Sequence, residues 1–196
     1  MVLGWFGAMR RKEYTSSTRG KVRDLQLCWR RVRFQTASGK RCRWNDRRCA
    51  YVVCKVYRKG DSGYFGQWIP FYPSGHPTVC PFLCLRRMAA DSGCPRNEPV
   101  CVREDGSYVT GDDVNSAVKV AGADVGLSAR FMGTHSLRRG GSNAIHAAGF
   151  GDDFRKTFCA WLSDCHKIYK DPQPSACVGV ARRMWEAKDT SGGLRL

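Results

Sequence analysis

Long apolar runs are missing from this 196-residue sequence. The longest uncharged apolar stretch, Met1–Met9, is far shorter than the roughly 18 residues that a membrane span needs. It also lacks the charged start and the cleavage site of a signal peptide. With 42% hydrophobic residues, the composition excludes global disorder and collagen-like repeats. We therefore expect a soluble intracellular protein that forms one domain and has no membrane partner.

Acidic residues are scarce in the first third of the chain. Residues 1–60 hold 17 basic and three acidic side chains, whereas the other 136 residues hold 16 and 14, for a total formal charge of +16. A positive field this concentrated favours a polyanion, most simply nucleic acid. The alternatives are a solubilising face or a segment that meets acidic lipid. Nucleic acid is favoured because the cations alternate with Trp29, Phe34 and Trp44 in strand-like segments.

The chain contains no CxxC pair, although it has eleven cysteines. This absence removes the usual support for a zinc ribbon or a thioredoxin-type redox site. His76, Cys80 and Cys84 are spaced for a metal site on a helix, but no convincing fourth ligand follows nearby. We expect most of the cysteines to be reduced core residues and expect no metal and no cofactor, with a structural zinc as the alternative.

The hydrophobic patterns predict an α+β fold in a single domain over residues 1–188, followed by a flexible tail at 189–196. A small, basic antiparallel sheet is expected over about 22–73, from alternation at 25–29 and 32–34 and from β-branched and aromatic residues at 51–57 and 67–72. A helical region is expected over about 78–188. The predicted helices cover 5–14, 80–90, a segment capped by Asp112, 136–148, a segment capped by Asp152 or Asp153, and 175–188.

Two boxes between Gly133 and Tyr169 contain the residues best suited to chemistry. In the first, HSLRRGG at 135–141, His135 and Arg138 lie three residues apart and share a face of a helical turn. An imidazole and a guanidinium side by side, followed by two glycines that allow close approach of a backbone, suit a phosphate. In the second, WLSDCHKIY at 161–169, Trp161 and Tyr169 lie about two helical turns apart.

With the early GAMRRKE segment at 7–13, these boxes make the chain resemble the C-terminal catalytic domain of the tyrosine recombinases, also called phage integrases. The likeness runs from about Gly4 to Lys170 and looks closest to the Crypton- or DIRS-like recombinases of eukaryotic mobile elements. It implies a recombinase-like catalytic-domain fold. It also implies catalytic roles for six residues, with Glu13 supporting the first of them: Arg10, Lys59, His135, Arg138, Trp161 and Tyr169. Lys55 is the competitor for the lysine role.

The resemblance implies that Tyr169 attacks a DNA phosphodiester and forms a 3′-phosphotyrosine. Arg10 and Arg138 would neutralise the charge that builds on the phosphate, assisted by His135 and Trp161, without a metal ion. Lys59 would donate a proton to the departing 5′ oxygen. The implied partners are double-stranded DNA and further copies of the chain in a tetrameric synapse, in the nucleus if the source is eukaryotic.

The sequence also departs from the family pattern. Residues 33–50 lengthen the basic sheet, and we expect the DNA-clamping N-terminal domain of the family to be absent. The alternatives are therefore an inactive DNA-binding remnant of a mobile element, a type IB topoisomerase, and a zinc-binding DNA module.

Overall fold

A computed structural model of the chain describes residues 1–58, 65–159 and 177–187. Within these ranges the fold is mixed α+β, as predicted, with one four-stranded antiparallel sheet and seven α-helices. The strands are β1 (Val32–Thr36), β2 (Arg41–Cys42), β3 (Cys49–Val56) and β4 (Gln67–Phe71). The helices are α1 (Val2–Phe6), α2 (Arg11–Tyr14), α3 (Pro81–Ser92), α4 (Gly111–Asp124), α5 (Thr134–Ala147), α6 (Asp152–Cys159) and α7 (Val180–Glu186).

The sheet has the strand order β2-β1-β3-β4. The strands predicted at 32–34, 51–57 and 67–72 are confirmed, and their β-branched and aromatic residues pack into the core, with β3 buried on both faces. The strand predicted at 25–29 is wrong. There the chain turns into a 3₁₀ helix at 29–31, and the backbone of Leu27 bonds to Glu13 and Val100 instead of to a neighbouring strand.

The single helix predicted over 5–14 is also wrong, because residues 7–10 separate α1 from α2. Ala8 adopts a left-handed backbone with φ of 43°. Both Ala8 and Met9 are completely buried. In a continuous helix the Ala8 carbonyl would accept a hydrogen bond from the helix backbone. Because the helix breaks here, this carbonyl instead accepts hydrogen bonds from Arg58 and Arg138.

The later helices follow the prediction with shifted ends. α3 starts at Pro81 as expected. α4 is capped by Thr110 instead of Asp112: the Thr110 hydroxyl accepts from the N–H of Asp113 at 3.2 Å, and the Asp113 carboxylate accepts from the N–H of Thr110 at 2.8 Å. Periodicity alone cannot locate such a cap.

At the carboxyl end of the chain the predicted helices are present with shifted ends. α5 begins two residues before the predicted start, and Gly149, with φ of 79°, follows its end. α6 begins at Asp152, and α7 is shorter than the segment predicted over 175–188. Residues 189–196, where a tail was predicted, lie outside the described residues. None of the described helices is long and apolar enough to cross a membrane.

Candidate active site

A cleft of about 760 Å³ opens where the amino-terminal segment meets the end of β3 and the start of α5. Arg10, His135 and Arg138 all line it, although Arg10 lies near one end of the chain and the other two lie on α5. The described part of the chain therefore brings together all three of the predicted catalytic residues that it contains. The remaining lining residues are Met9, Arg11, Lys12, Glu13, Arg23, Asp24, Leu25, Gln26, Tyr57, Arg58 and Thr134.

Arg10 stands at the first turn of α2, where the helix begins after the break at 7–10. Its backbone N–H donates to Oε2 of Glu13 at 2.8 Å, which satisfies one of the free donors at the helix start. Its guanidinium Nη1 lies 3.4 Å from the other oxygen of the same carboxylate. Glu13 thus holds both the backbone and the side chain of Arg10, and the side chain remains one-third exposed to the cleft.

The Glu13 carboxylate is itself held by Arg58. Nη1 of Arg58 donates to Oε2 of Glu13 at 2.9 Å, and both side chains are almost completely buried. Arg58 also donates to the carbonyl oxygens of Gly7, Ala8 and Phe158. A buried charge needs such partners, and burial lowers the pKa of Arg58 even with them present. Arg58 therefore connects three parts of the fold: the break between α1 and α2, the Glu13 carboxylate that holds Arg10, and the end of α6.

Arg138 lies one turn into α5 and is buried. Its Nη1 donates to the Ala8 carbonyl and its Nη2 to the Cys159 carbonyl. Burial, followed by the positive charges of Arg58 and Arg10, lowers the pKa of Arg138 to about 10. A lowered pKa means that the charged form of the Arg138 guanidinium is disfavoured here. An anion bound in the cleft would stabilise this charged form.

His135 occupies the first turn of α5, and its side chain is exposed. It precedes Arg138 by three residues, so the two lie on one face of the helix, as predicted. Both also line a second depression with Arg139, Ser142 and Asn143, which continues along the α5 surface.

The cleft is strongly electropositive. Six arginine or lysine side chains and only two carboxylates line it, and the Glu13 carboxylate is already paired. A concave surface with such an excess of positive charge focuses the field and favours an anionic ligand. Guanidinium groups bind the oxygens of phosphates and carboxylates in a fixed, bidentate geometry, so the lining suits an oxyanion such as a phosphoester.

The other predicted catalytic residues cannot be placed. Lys59, Trp161 and Tyr169 lie outside the described residues. Lys55, the competitor for the lysine role, is half-buried on β3, with its Nζ 5.8 Å from the ring centroids of both Tyr57 and Trp68. Among the described residues that line the cleft, Lys55 is not included.

Gly140 and Gly141 have a different role from the one that the sequence suggested. A Cβ on Gly140 would overlap the ring of Trp5, and a Cβ on Gly141 would overlap the Trp5 carbonyl oxygen. The backbone that approaches these glycines closely is therefore that of α1. Their contribution to the site is indirect, because α1 leads into the break that places Ala8 and Arg10.

Sequence reasoning missed Arg58. A signal was present, since Val52, Cys54, Val56 and Arg58 alternate along one face of the chain, and all four are buried. An arginine that continues the core-facing register of a strand must find buried partners. The resemblance assigns the catalytic lysine role to Lys59, the next residue, because a lysine on a hairpin turn is typical of that family.

The possible metal ligands His76 and Cys80 are used locally. Nδ1 of His76 accepts from the N–H groups of Thr78 and Val79, and Sγ of Cys80 caps the start of α3. Among the described residues no group of three or more histidine, cysteine or acidic side chains is arranged to hold a metal ion.

Comparison of the chain with protein-family models, with curated proteins and with solved structures gives no match. Inference about function therefore starts from the residues and from the cleft that they form.

Proposed function

We propose that this chain is a DNA strand transferase of the tyrosine recombinase type, with the corresponding catalytic-domain fold. The observation that carries the proposal is the convergence of Arg10, His135 and Arg138 in one electropositive cleft. The three residues belong to sequence motifs that resemble those of this family. Their meeting from distant parts of the chain, with Glu13 buried behind Arg10, supports the proposal.

The cleft suits a scissile phosphodiester held between Arg10 and Arg138. Two of the five N–H groups of Arg138 donate to backbone carbonyls, which orients the guanidinium. In the proposed complex its other N–H groups would bind phosphate oxygens. His135 supplies a further donor at the exposed side of the cleft. Negative charge that develops on the non-bridging oxygens during in-line attack would be neutralised by these groups.

In the proposed reaction the phenol oxygen of Tyr169 attacks the phosphorus and loses its proton. The bond from phosphorus to the 5′ oxygen breaks, and Lys59 protonates the departing oxygen. Trp161 assists at the phosphate. The phosphotyrosine keeps the bond energy, so attack by another 5′ hydroxyl rejoins the DNA. Double-stranded DNA and further copies of the chain are the proposed partners, in the nucleus if the source is eukaryotic.

The decisive experiment is a search for a covalent protein–DNA adduct. A pool of random-sequence duplexes, each nicked so that the released fragment diffuses away, is incubated with the protein and resolved in SDS. We expect an adduct with the wild type and none with Tyr169→Phe. Tyr108→Phe is the matched control, because Tyr108 bonds to Glu98 outside the cleft, and it should form the adduct normally. Arg10→Ala should slow adduct formation by about 100-fold or more, as expected for loss of a charge-stabilising donor.

The outcomes separate the alternatives. An adduct that persists in Tyr169→Phe would contradict the assigned nucleophile. DNA binding by a folded protein that never forms an adduct would support the inactive DNA-binding remnant. Relaxation of supercoiled plasmid without any strand exchange would support the type IB topoisomerase.

A further inference from the structure

A segment between β1 and β3 carries a second concentration of positive charge. This segment, the basic arm, covers residues 40–48 and includes β2 at the edge of the sheet. Within the described part of the chain, only Asp46 pairs with a cation of the arm, through an ion pair with Arg48 at 2.9 Å. The basic arm contains five basic side chains, and all of them are exposed: Lys40, Arg41, Arg43, Arg47 and Arg48.

The arm has a defined conformation. The Thr36 N–H donates to the Lys40 carbonyl at 2.9 Å at its start, and the Cys49 N–H donates to the Asp46 carbonyl at 3.1 Å at its end. Between these turns the half-buried Trp44 packs against the core. Cations on a preformed segment lose less conformational freedom when they bind than cations on a disordered tail.

Exposure alternates along the arm. Arg41 and Arg43 are exposed, whereas Cys42 and Trp44 between and after them are half-buried. Alternate residues of an extended chain point the same way, about 6.7 Å apart. Arg41 and Arg43 therefore point to solvent together, whereas Arg47 and Arg48 are exposed on the turns that follow, and the one aromatic ring of the arm faces inward.

We propose that the basic arm binds the phosphate backbone of double-stranded DNA, at a position separate from the phosphate in the cleft. The inference rests on the proposed function, which supplies the duplex. Charge complementarity favours a polyanion, and the inward position of Trp44 leaves no ring for stacking on unpaired bases. Arm contacts are therefore made to phosphates and do not depend on sequence.

Protection of an exposed sheet edge is the competing explanation for charges at this position. However, β2 is only two residues long, and three of the five cations lie beyond it. The charge therefore extends past the edge that needs protection.

The test compares the salt dependence of DNA binding in two triple variants. One is Arg41→Gln, Arg43→Gln and Arg47→Gln in the arm. The control is Arg87→Gln, Lys119→Gln and Arg130→Gln, which removes the same charge from exposed positions on α3, on α4 and in the turn before α5. Affinity for a random-sequence duplex is measured by fluorescence anisotropy between about 50 and 200 mM salt.

We expect the arm variant to reduce the slope of log K against log salt by about 2 to 3, since each lost phosphate contact reduces it by about 0.9. The control should reduce it by less than 1. Thermal midpoints equal to that of the wild type will show that all variants fold. Equal slopes for both variants would overturn the inference, and so would arm-dependent binding to phosphatidylserine vesicles in a wild type that does not bind DNA.

The adduct assay distinguishes this inference from the proposed function. If the arm variant lowers the salt slope of DNA binding but no protein forms an adduct, the arm would be supported as a DNA-binding surface and the strand transferase would be refuted. If the arm variant and the control variant have equal salt slopes and the adduct still requires Tyr169, the strand transferase would be supported and DNA binding by the arm would be refuted.

Discussion

The backbone of Ala8 is the single feature on which the candidate site depends most. Its left-handed conformation is uncommon for a residue with a Cβ and costs on the order of 1–3 kcal/mol. The conformation persists because Ala8 is completely buried and because its carbonyl accepts from both Arg58 and Arg138. One peptide group thus fixes two guanidinium groups at the cleft.

The residue that we expect to be most sensitive to substitution is Arg58. Arg58→Met removes the charge that neutralises Glu13 and the donors to three backbone carbonyls, all within the core. We expect the free energy of unfolding to fall by about 3 kcal/mol, because breaking one side of a buried ion pair leaves the other uncompensated. Arg58→Lys should recover part of this loss, since it keeps the charge. Urea titration measures both values.

Arg48 is the matched control for this prediction. Its ion pair with Asp46 has the same 2.9 Å distance, but its side chain is 81% exposed, against 1% for Arg58. Arg48→Met should therefore change the free energy of unfolding by no more than about 0.5 kcal/mol. Similar losses at the two positions would show that burial does not govern these pairs.

Among the elements, the contact of α1 with α5 does most to shape the site. α1 is only five residues long, which is too short for a helix to be stable by itself. It is held because Gly140 and Gly141 expose the backbone of α5 and allow Trp5 to lie directly against it. The chain then breaks at Ala8 and delivers Arg10 to the same cleft as Arg138.

We expect Gly141→Ala to separate α1 from α5. The added methyl group would overlap the Trp5 carbonyl oxygen, which is backbone and cannot rotate away. Stability should fall by about 1–3 kcal/mol despite the better helix propensity of alanine. Gly20→Ala is the control, because Gly20 has open space around its Cα and should tolerate the change. Differential scanning calorimetry of both variants measures the difference, and a stabilised Gly141→Ala protein would contradict the packing described.

At the scale of the whole molecule, the cysteines belong to the core. Of the ten cysteines in the described ranges, seven are buried and all are free thiols. This confirms the expectation that most of the cysteines are core residues. Burial raises the pKa of Cys101 to about 12 and also raises the pKa of Cys54, so the thiolate forms of both are scarce at neutral pH.

Thiol labelling of the native protein should therefore be selective. We expect the half-buried Cys42, Cys84 and Cys94 to react first. The buried cysteines should react on the order of 100-fold more slowly, since that ratio corresponds to about 2.8 kcal/mol of local opening. Peptide mass spectrometry after timed iodoacetamide treatment assigns each site, and all should react in urea. Fast labelling of Cys54 in the native state would show that the core described is wrong.

The parts of the fold that could be predicted are those in which local pattern and burial agree. β3 and β4 were predicted because β-branched and aromatic residues crowd both strands, and α3 because Pro81 opens an amphipathic run. The helix at 5–14 was mispredicted because its local pattern is helical, whereas the chain breaks to bury Ala8 and Met9. The strand at 25–29 was mispredicted because the apolar alternation there does not mark two faces: Leu25 is exposed, and the four residues after it are all buried.

The sequence by itself determined the α+β class, the polarity of charge, the buried thiols and three residues that meet in one cleft. The fold class, the charge and the buried thiols follow from residue type and spacing, which are local properties of the chain, whereas the three cleft residues were predicted from the resemblance of their motifs to a known family. Only the tertiary structure decided that Arg58 supports Glu13 from the far side, that Gly140 and Gly141 receive Trp5, and that the Ala8 carbonyl joins two arginines. These contacts link residues between 45 and 136 positions apart, and no local pattern specifies which distant groups will share one buried space.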